Sequence, residues 1–133
     1  MIVHLDTDFL VYALATAGPE RRWLIEIANS GRSIEISAIA WYEFSRGPRI
    51  PDQLATARSF FAADGIVPFS EQFAATAADV FRRLGSPRRR AADICIGVTA
   101  MLRGATLISR NARDFAGISG LHVRDLDTTV RGT

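Results

Sequence analysis

Four acidic residues stand at comparable places in this chain, each beside an apolar run that predicts a strand or a helix. One acid closes the run of residues 2–5, and another follows the strand-like run of residues 105–109. A third comes shortly after residues 34–37, and a fourth begins the apolar helical run of residues 93–100. Because the carboxyl ends of parallel strands face one crevice, we expect these side chains to converge. The candidates are Asp6, Glu43, Asp93 and Asp114.

Converging carboxylates repel one another, so at least one must bind a proton or a cation must lie among them. A set of oxygen ligands without imidazole or thiolate favours Mg²⁺ or Mn²⁺. The single cysteine, Cys95, lies in an apolar helical pattern and is predicted to be a buried thiol. His4 and His122 lie in strand patterns, where we expect them to be packing or surface residues.

Strand patterns alternate with helical patterns along the chain, which predicts a three-layer α/β/α sandwich with a mostly parallel central sheet. The predicted strands are residues 2–5, 33–36, 66–69 and 106–109, with a short last strand near 121–123. The predicted helices are residues 8–17, 20–30, 38–47, 50–64, 71–84 and 90–103, with a turn or short helix at 111–115. No linker or repeat interrupts them, so we predict one domain over residues 1–133, with frayed residues from about 129 onward.

Local signals refine these elements. Asp8 is a plausible N-cap of the first helix, and Ser37 and Ser70 are placed to cap two later helices. Glu35 alternates with two isoleucines in the second strand, which favours a surface position.

The composition narrows the class of protein. The chain has 133 residues, of which 48% are hydrophobic, so it can form a real core. Its longest uncharged stretch, residues 9–19, falls well short of the roughly 20 apolar residues of a membrane span. No signal peptide is apparent, and we expect a cytoplasmic protein.

Arginine supplies all 16 basic residues, and the formal net charge is +2. The absence of lysine excludes any mechanism that requires one. Five arginines fall between positions 82 and 90 without an intervening acid. They are either a solvated helix end and loop or a phosphate-binding cluster. The candidates for contact with nucleic-acid phosphates, which come shortly before Asp93, are Arg88, Arg89 and Arg90.

Four segments together resemble the motifs of PIN-domain ribonucleases, in the same order. Residues 5–10 (Leu-Asp-Thr-Asp-Phe-Leu) resemble the opening motif, and residues 36–47 resemble the second, which ends in a glutamate. Residues 92–100 match the third, in which an aspartate opens a helix of small residues, and residues 104–115 resemble the fourth. The length and the Arg-Asn-x-x-Asp-Phe ending look most like the VapC-type toxins of bacterial toxin–antitoxin pairs.

This resemblance implies hydrolysis of RNA phosphodiester bonds by a metal-activated water. It places Mg²⁺ or Mn²⁺ on Asp6 and Asp93, while Glu43 and Asp114 hold a second ion or position waters. Many relatives have an acid directly after the arginine of the fourth motif, where this chain has Asn111. Asp114 is the preferred fourth acid, and whether it or Asn111 faces the metal stays open. The supporting polar residues would be Thr7, Ser109 and Asn111.

The resemblance also implies a VapB-type antitoxin that blocks the acidic crevice, and a homodimer. Trp41 and Tyr42 are candidates for stacking on bases, although core packing is expected for at least one of them.

Two other functions are open. A phosphatase of the haloacid-dehalogenase type also begins with a strand followed by Asp-x-Asp, which Asp6 and Asp8 fit. Most members of that class need a downstream lysine, which this chain lacks. The other alternative is a catalytically inactive PIN fold that serves only as a binding module.

Overall fold

The computed structural model describes residues 1–125, so the predicted fraying from about residue 129 lies outside the described residues. The strands are β1 (Ile2–Leu5), β2 (Ser33–Ser37), β3 (Ile66–Val67), β4 (Thr106–Ser109) and β5 (His122–Asp125). The α-helices are α1 (Thr7–Ala15), α2 (Pro19–Asn29), α3 (Ala38–Ser45), α4 (Pro51–Arg58), α5 (Glu71–Arg83) and α6 (Ala91–Leu102). Two 3-10 helices span Arg88–Arg90 and Ala112–Phe115.

The five strands form one sheet in the order β3-β2-β1-β4-β5, and every neighbouring pair is parallel. The predicted α/β/α sandwich with a parallel sheet is thereby confirmed. The strand order reverses between β1 and β4, where Leu5 is in register with Ile108. A crevice at the carboxyl ends of two such strands is where parallel sheets place ligands.

The central strands are buried on both faces because helices cover the sheet on each side. Val3 and Leu5 of β1, Ile36 of β2 and Leu107 of β4 expose 1% of their surface or less. Each such side chain contributes about 1.5–3 kcal/mol relative to an exposed position. None of the helices in residues 1–125 is long and apolar enough to cross a membrane.

The first helix begins one residue earlier than predicted, and its N-cap is Asp6 rather than Asp8. The backbone N–H of Phe9 donates to Oδ1 of Asp6 at 2.8 Å, so the predicted Asp8 cap is wrong. The predicted caps at Ser37 and Ser70 are confirmed, since each hydroxyl accepts a bond from a backbone N–H of the helix that follows.

A close approach at Gly97 positions the segment that carries Asp114. A Cβ at Gly97 would lie 2.7 Å from Cδ1 of Ile118 and 3.4 Å from Cδ1 of Phe115. The missing side chain therefore lets this segment lie directly on α6.

Glu35 is buried, with 8% of its surface exposed, so its predicted surface position is wrong. It is in register with His4 of β1, whose Nε2 lies 2.8 Å from its Oε1. Arg103, at the end of α6, donates from Nε to Oε1 at 3.0 Å and from Nη2 to Oε2 at 2.6 Å. A polar residue on a doubly covered strand needs such partners. These three residues are referred to below as the His4–Glu35–Arg103 network.

The network sets the protonation of its members. Burial lowers the pKa of His4 despite the neighbouring carboxylate. Burial alone would raise the pKa of Glu35, but the hydrogen bonds from Arg103 and His4 outweigh it and hold that pKa below its ordinary value.

Candidate active site

A cavity of about 280 Å³ lies at the carboxyl ends of the central strands. The four acids predicted from the sequence, which belong to four distant segments, all line this cavity. Its remaining lining residues are Thr7, Asp8 and Arg46. The expected convergence of carboxylates is therefore present in the fold.

Asp6 occupies the point where the strand order reverses. Its Oδ1 caps α1, and its Oδ2 accepts a bond of 2.6 Å from the hydroxyl of Ser109 at the end of β4. Only 6% of its surface is exposed. Burial raises the pKa of Asp6 from 3.8 to about 7, and the charges of Asp8 and Asp93 add to the rise, against the hydrogen bonds from Ser109 and Phe9.

Asp93 lies in the first turn of α6. Burial raises its pKa from 3.8 to about 6, and the carboxylates of Asp114, Glu43 and Asp8 raise it further. The positive charge of Arg90 acts in the opposite direction. Both Asp6 and Asp93 therefore favour the charged form less than an ordinary aspartate does.

The other two acids are each held by a polar neighbour that the sequence also singled out. The hydroxyl of Thr7 donates to Oε1 of Glu43 at 2.8 Å. The side-chain amide of Asn111 donates to Oδ2 of Asp114 at 3.0 Å. Asp114 lines the cavity, and Asn111 serves as its hydrogen-bond partner.

Two cavity residues were missed from the sequence. Asp8 was weighed there chiefly as a helix cap, although it shares the Asp-Thr-Asp motif with Asp6. Arg46 follows Glu43 by three residues near the end of α3, a spacing that places both on one side of a helix. That spacing was the available signal for Arg46.

The three arginines predicted to contact RNA differ in their surroundings. Arg88 and Arg89 are exposed on the 3-10 helix before α6. Arg90 is partly buried, and its guanidinium donates to the backbone carbonyls of Asp114 and Ala116. Arg90 therefore holds the segment that carries Asp114 against the start of α6.

The donor set suits a hard divalent cation. No three acids, histidines or cysteines among residues 1–125 are arranged to ligate a single ion together. Mg²⁺ does not need such a cage, because it keeps several waters and is commonly bound by one or two carboxylates. The raised pKa values of Asp6 and Asp93 reflect charge that the fold leaves uncompensated, which a cation held between them would offset.

Solved bacterial structures with the same fold include a toxin–antitoxin complex. VapBC2 from Rickettsia felis, solved with a fragment of promoter DNA, superposes with a TM-score of 0.73 at 23% identity, over 93% of this chain and 98% of that one. A toxin–antitoxin complex from Klebsiella pneumoniae has a TM-score of 0.68 at 26% identity, over 90% and 94%. FitAcB from Neisseria gonorrhoeae has a TM-score of 0.66 at 24% identity, over 92% and 96%.

No curated protein matches the chain. The sequence model of the PIN domain, in contrast, matches residues 3–121, which include all four predicted acids and nearly the whole described chain. The resemblance predicted from the four motifs is thus confirmed, and the chain belongs to the PIN domain family.

Proposed function

We propose that this protein is a metal-dependent endoribonuclease, the toxin of a toxin–antitoxin pair of the VapBC type. The observation that carries the proposal is the meeting of Asp6, Glu43, Asp93 and Asp114 in one cavity. Membership of the PIN domain family supports nuclease activity. The toxin–antitoxin complexes that share the fold support a protein partner.

Asp6 and Asp93 would hold Mg²⁺ or Mn²⁺ at the place where the cavity is most buried. When bound, such an ion lowers the pKa of a water and offsets the charge that develops on the phosphate. The protein contributes orientation, because Ser109 and the N–H of Phe9 fix the carboxylate of Asp6. A water oxygen then bonds to phosphorus while the bond to the leaving ribose oxygen breaks.

Glu43 and Asp114 act beside this pair. Each carboxylate is held through one oxygen, Glu43 by Thr7 and Asp114 by Asn111. The second oxygen of each remains to hold waters or a second ion. In this division of roles the charge of the fourth motif comes from Asp114, and Asn111 orients that carboxylate.

Arg88 and Arg89 would bind phosphates of the RNA beside the cavity. They lie directly before α6, where the helix dipole disfavours positive charge, so a role in stabilising the helix does not account for them. Guanidinium groups form paired hydrogen bonds with phosphate oxygens and keep their charge at any working pH.

The antitoxin would inhibit by placing a basic side chain in the acidic cavity. An apolar groove of about 430 Å³, lined in part by Leu14, Ile25 and Phe60, offers further surface for such a partner. Ile25, one of the residues that line this groove, is 45% exposed. We also expect the toxin to pair with a second copy of itself.

The decisive experiment replaces Asp93 with asparagine, which keeps the shape and removes the charge. Asp93→Asn should abolish growth inhibition on expression and slow cleavage of single-stranded RNA by the purified protein at least about 100-fold, because the cation loses a ligand. EDTA should stop the wild-type reaction, and Mg²⁺ or Mn²⁺ should restore it.

The matched control is Asp79→Asn, which removes an exposed aspartate of α5 that lies outside the cavity. It should leave both toxicity and cleavage unchanged. Undiminished toxicity in a folded Asp93→Asn variant would refute the site. A wild-type protein that binds RNA but never cleaves it would support the inactive binding module instead.

A further inference from the structure

Helix α3 separates its two neighbouring aromatic residues into different environments. Trp41 packs inward, stacked on Phe44 at 5.7 Å between ring centroids and meeting the edge of Phe61 at 6.1 Å. Tyr42 points outward and exposes 60% of its surface. Of the two candidates for base stacking, Tyr42 therefore has the more accessible ring, since Trp41 is partly buried.

Arg46 lies one helical turn after Tyr42 and lines the acidic cavity. Its guanidinium carbon is 5.3 Å from the centroid of the Tyr42 ring, a cation–π arrangement. Within residues 1–125 its guanidinium forms no ion pair with a carboxylate, although acids surround it. The tyrosine thus holds a positive charge at the edge of the cavity and leaves its donors available.

A second tyrosine–arginine pair, Tyr12 of α1 with Arg110, differs in how the arginine's charge is used. Arg110 lies 3.6 Å from the ring centroid of Tyr12 and donates to Glu20 at 3.2 Å. Its charge is therefore used within the fold, whereas the charge of Arg46 faces the cavity.

We propose that Tyr42 and Arg46 form a nucleotide platform on which one base of single-stranded RNA stacks while Arg46 contacts the adjacent phosphate. The proposal deepens the nuclease function proposed above and rests on it for the identity of the ligand. Single-stranded RNA is recognised largely by stacking of splayed bases on aromatic rings, and a duplex cannot offer its bases in this way. A cation at the mouth of a negative cavity also reduces the repulsion of the incoming polyanion.

The platform has a chemical consequence for the substrate. Arg46, which contacts the Tyr42 ring, lines the same cavity as Glu43, so the stacked base would belong to a nucleotide near the cleaved bond. Stacking accepts any base, because every base has a π face, but it requires that a base be present. Cleavage should therefore depend on a base at one flanking position, with little preference for its identity.

The test measures binding and cleavage separately. A fluorescent single-stranded RNA is titrated in EDTA, which allows binding without cleavage, and kcat/KM is then measured with Mn²⁺. A second RNA series carries one abasic nucleotide at successive positions. The variants are Tyr42→Leu, which removes the ring, Tyr42→Phe, which keeps it, and Arg46→Gln. The control is Arg32→Gln, which removes an exposed arginine just before β2. This position is at the amino ends of the strands, whereas the acidic cavity is at their carboxyl ends.

Tyr42→Leu should weaken RNA binding and lower kcat/KM by about ten-fold, while Tyr42→Phe stays within about two-fold of wild type. One abasic position should cost the wild type a similar factor and cost Tyr42→Leu nothing further. Arg46→Gln should weaken binding more than Arg32→Gln does. Because Tyr42 is mostly exposed, thermal melting should confirm that all variants fold.

Equal affinity and equal cleavage for wild type and Tyr42→Leu, with no sensitive abasic position, would overturn the platform and leave the nuclease function intact. Binding that depends on Tyr42, with no cleavage by the wild type, would overturn the nuclease function and keep the platform. A wild-type protein that neither binds nor cleaves RNA would overturn both.

Discussion

Two regions of the same sheet bury carboxylates in contrasting ways. In the middle of β2, Glu35 accepts hydrogen bonds from His4 and Arg103, and its pKa lies below the ordinary value. At the carboxyl end, Asp6 faces other acids, and its pKa rises to about 7. The charge of Glu35 is balanced by Arg103, whereas no arginine among residues 1–125 pairs with Asp6. Such uncompensated burial is characteristic of functional sites.

The His4–Glu35–Arg103 network and the acidic cavity are joined by the elements that span the sheet. His4 precedes Asp6 by two residues on β1, and Arg103 follows the helix whose first turn carries Asp93. Glu35 lies on β2, which leads directly into the helix that carries Glu43. The His4–Glu35–Arg103 network therefore ties together three of the segments that meet in the cavity.

The largest expected effect on stability comes from removing the charge of Glu35 from the His4–Glu35–Arg103 network. Glu35→Gln should lower the free energy of unfolding by about 3 kcal/mol, because His4 and Arg103 both lose a charged hydrogen-bond acceptor in a largely buried network. Urea denaturation at pH 7 measures this change. Asp79→Asn, which removes the exposed pair with Arg82, should change the same quantity by less than about 0.5 kcal/mol. Equal losses in the two variants would contradict the contrast between a buried and a surface pair.

The second prediction concerns how stability depends on pH through Asp6 and Asp93. Between about pH 5 and 7 the folded chain keeps protons on Asp6 and Asp93 that the unfolded chain has already released. The unfolded state then binds fewer protons, so the free energy of unfolding of the metal-free protein should fall as the pH rises, by about 2–3 kcal/mol between pH 5 and 8. Most of this change comes from Asp6, because solvent screens the half-buried Asp93. Thermal melts in EDTA across this range measure the trend, and Mg²⁺ should raise the Tm more at pH 8 than at pH 5.5.

Asp6→Asn serves as the control for this trend. Asparagine is an equally good helix cap and cannot ionise, so the metal-free variant should be more stable than wild type at pH 8 and should show a flatter pH profile. It should also lose most of the stabilisation by Mg²⁺. A wild-type protein whose metal-free stability rises from pH 5 to 8 would contradict the assignment.

The smallest expected effect on stability comes from replacing exposed arginines that form no ion pair within residues 1–125. Arg103 forms an ion pair with Glu35, whereas Arg88 and Arg89 are exposed on the 3-10 helix before α6. Replacing Arg88 and Arg89 together with glutamine should change the unfolding free energy by less than about 0.5 kcal/mol. The same change should flatten the logarithmic dependence of RNA affinity on salt by roughly 1.4 if each arginine neutralises one phosphate. An unchanged slope would identify both as solvated surface residues.

Much of the architecture follows from local patterns. The bounds of β1 and β4 agree with their apolar runs, and Ser37 and Ser70 cap the helices expected of them. The convergence of four acids followed from one rule about the carboxyl ends of parallel strands. Spacing along the chain is sufficient for such predictions because each depends on the position of a residue within its own element.

The errors concern which way a side chain points between elements. The alternation around Glu35 predicted a solvent face, but central parallel strands have no solvent face, and the partners of Glu35 come from residues 4 and 103. Asp6 and Asp8 flank a single residue, and sequence alone does not decide which of them caps the helix. Arg90 adjoins two exposed arginines, yet only the fold reveals the carbonyls that it holds.

The direction of β1 has a practical consequence for experiments on this protein. Residue Met1, which is 74% exposed, precedes β1, and the strand runs from there toward Asp6. The start of the chain therefore lies at the amino end of the central strand, away from the acidic cavity. An affinity tag or fluorophore joined before Met1 would emerge away from the cavity. Immobilisation through that end would leave the acidic cavity open to the solution.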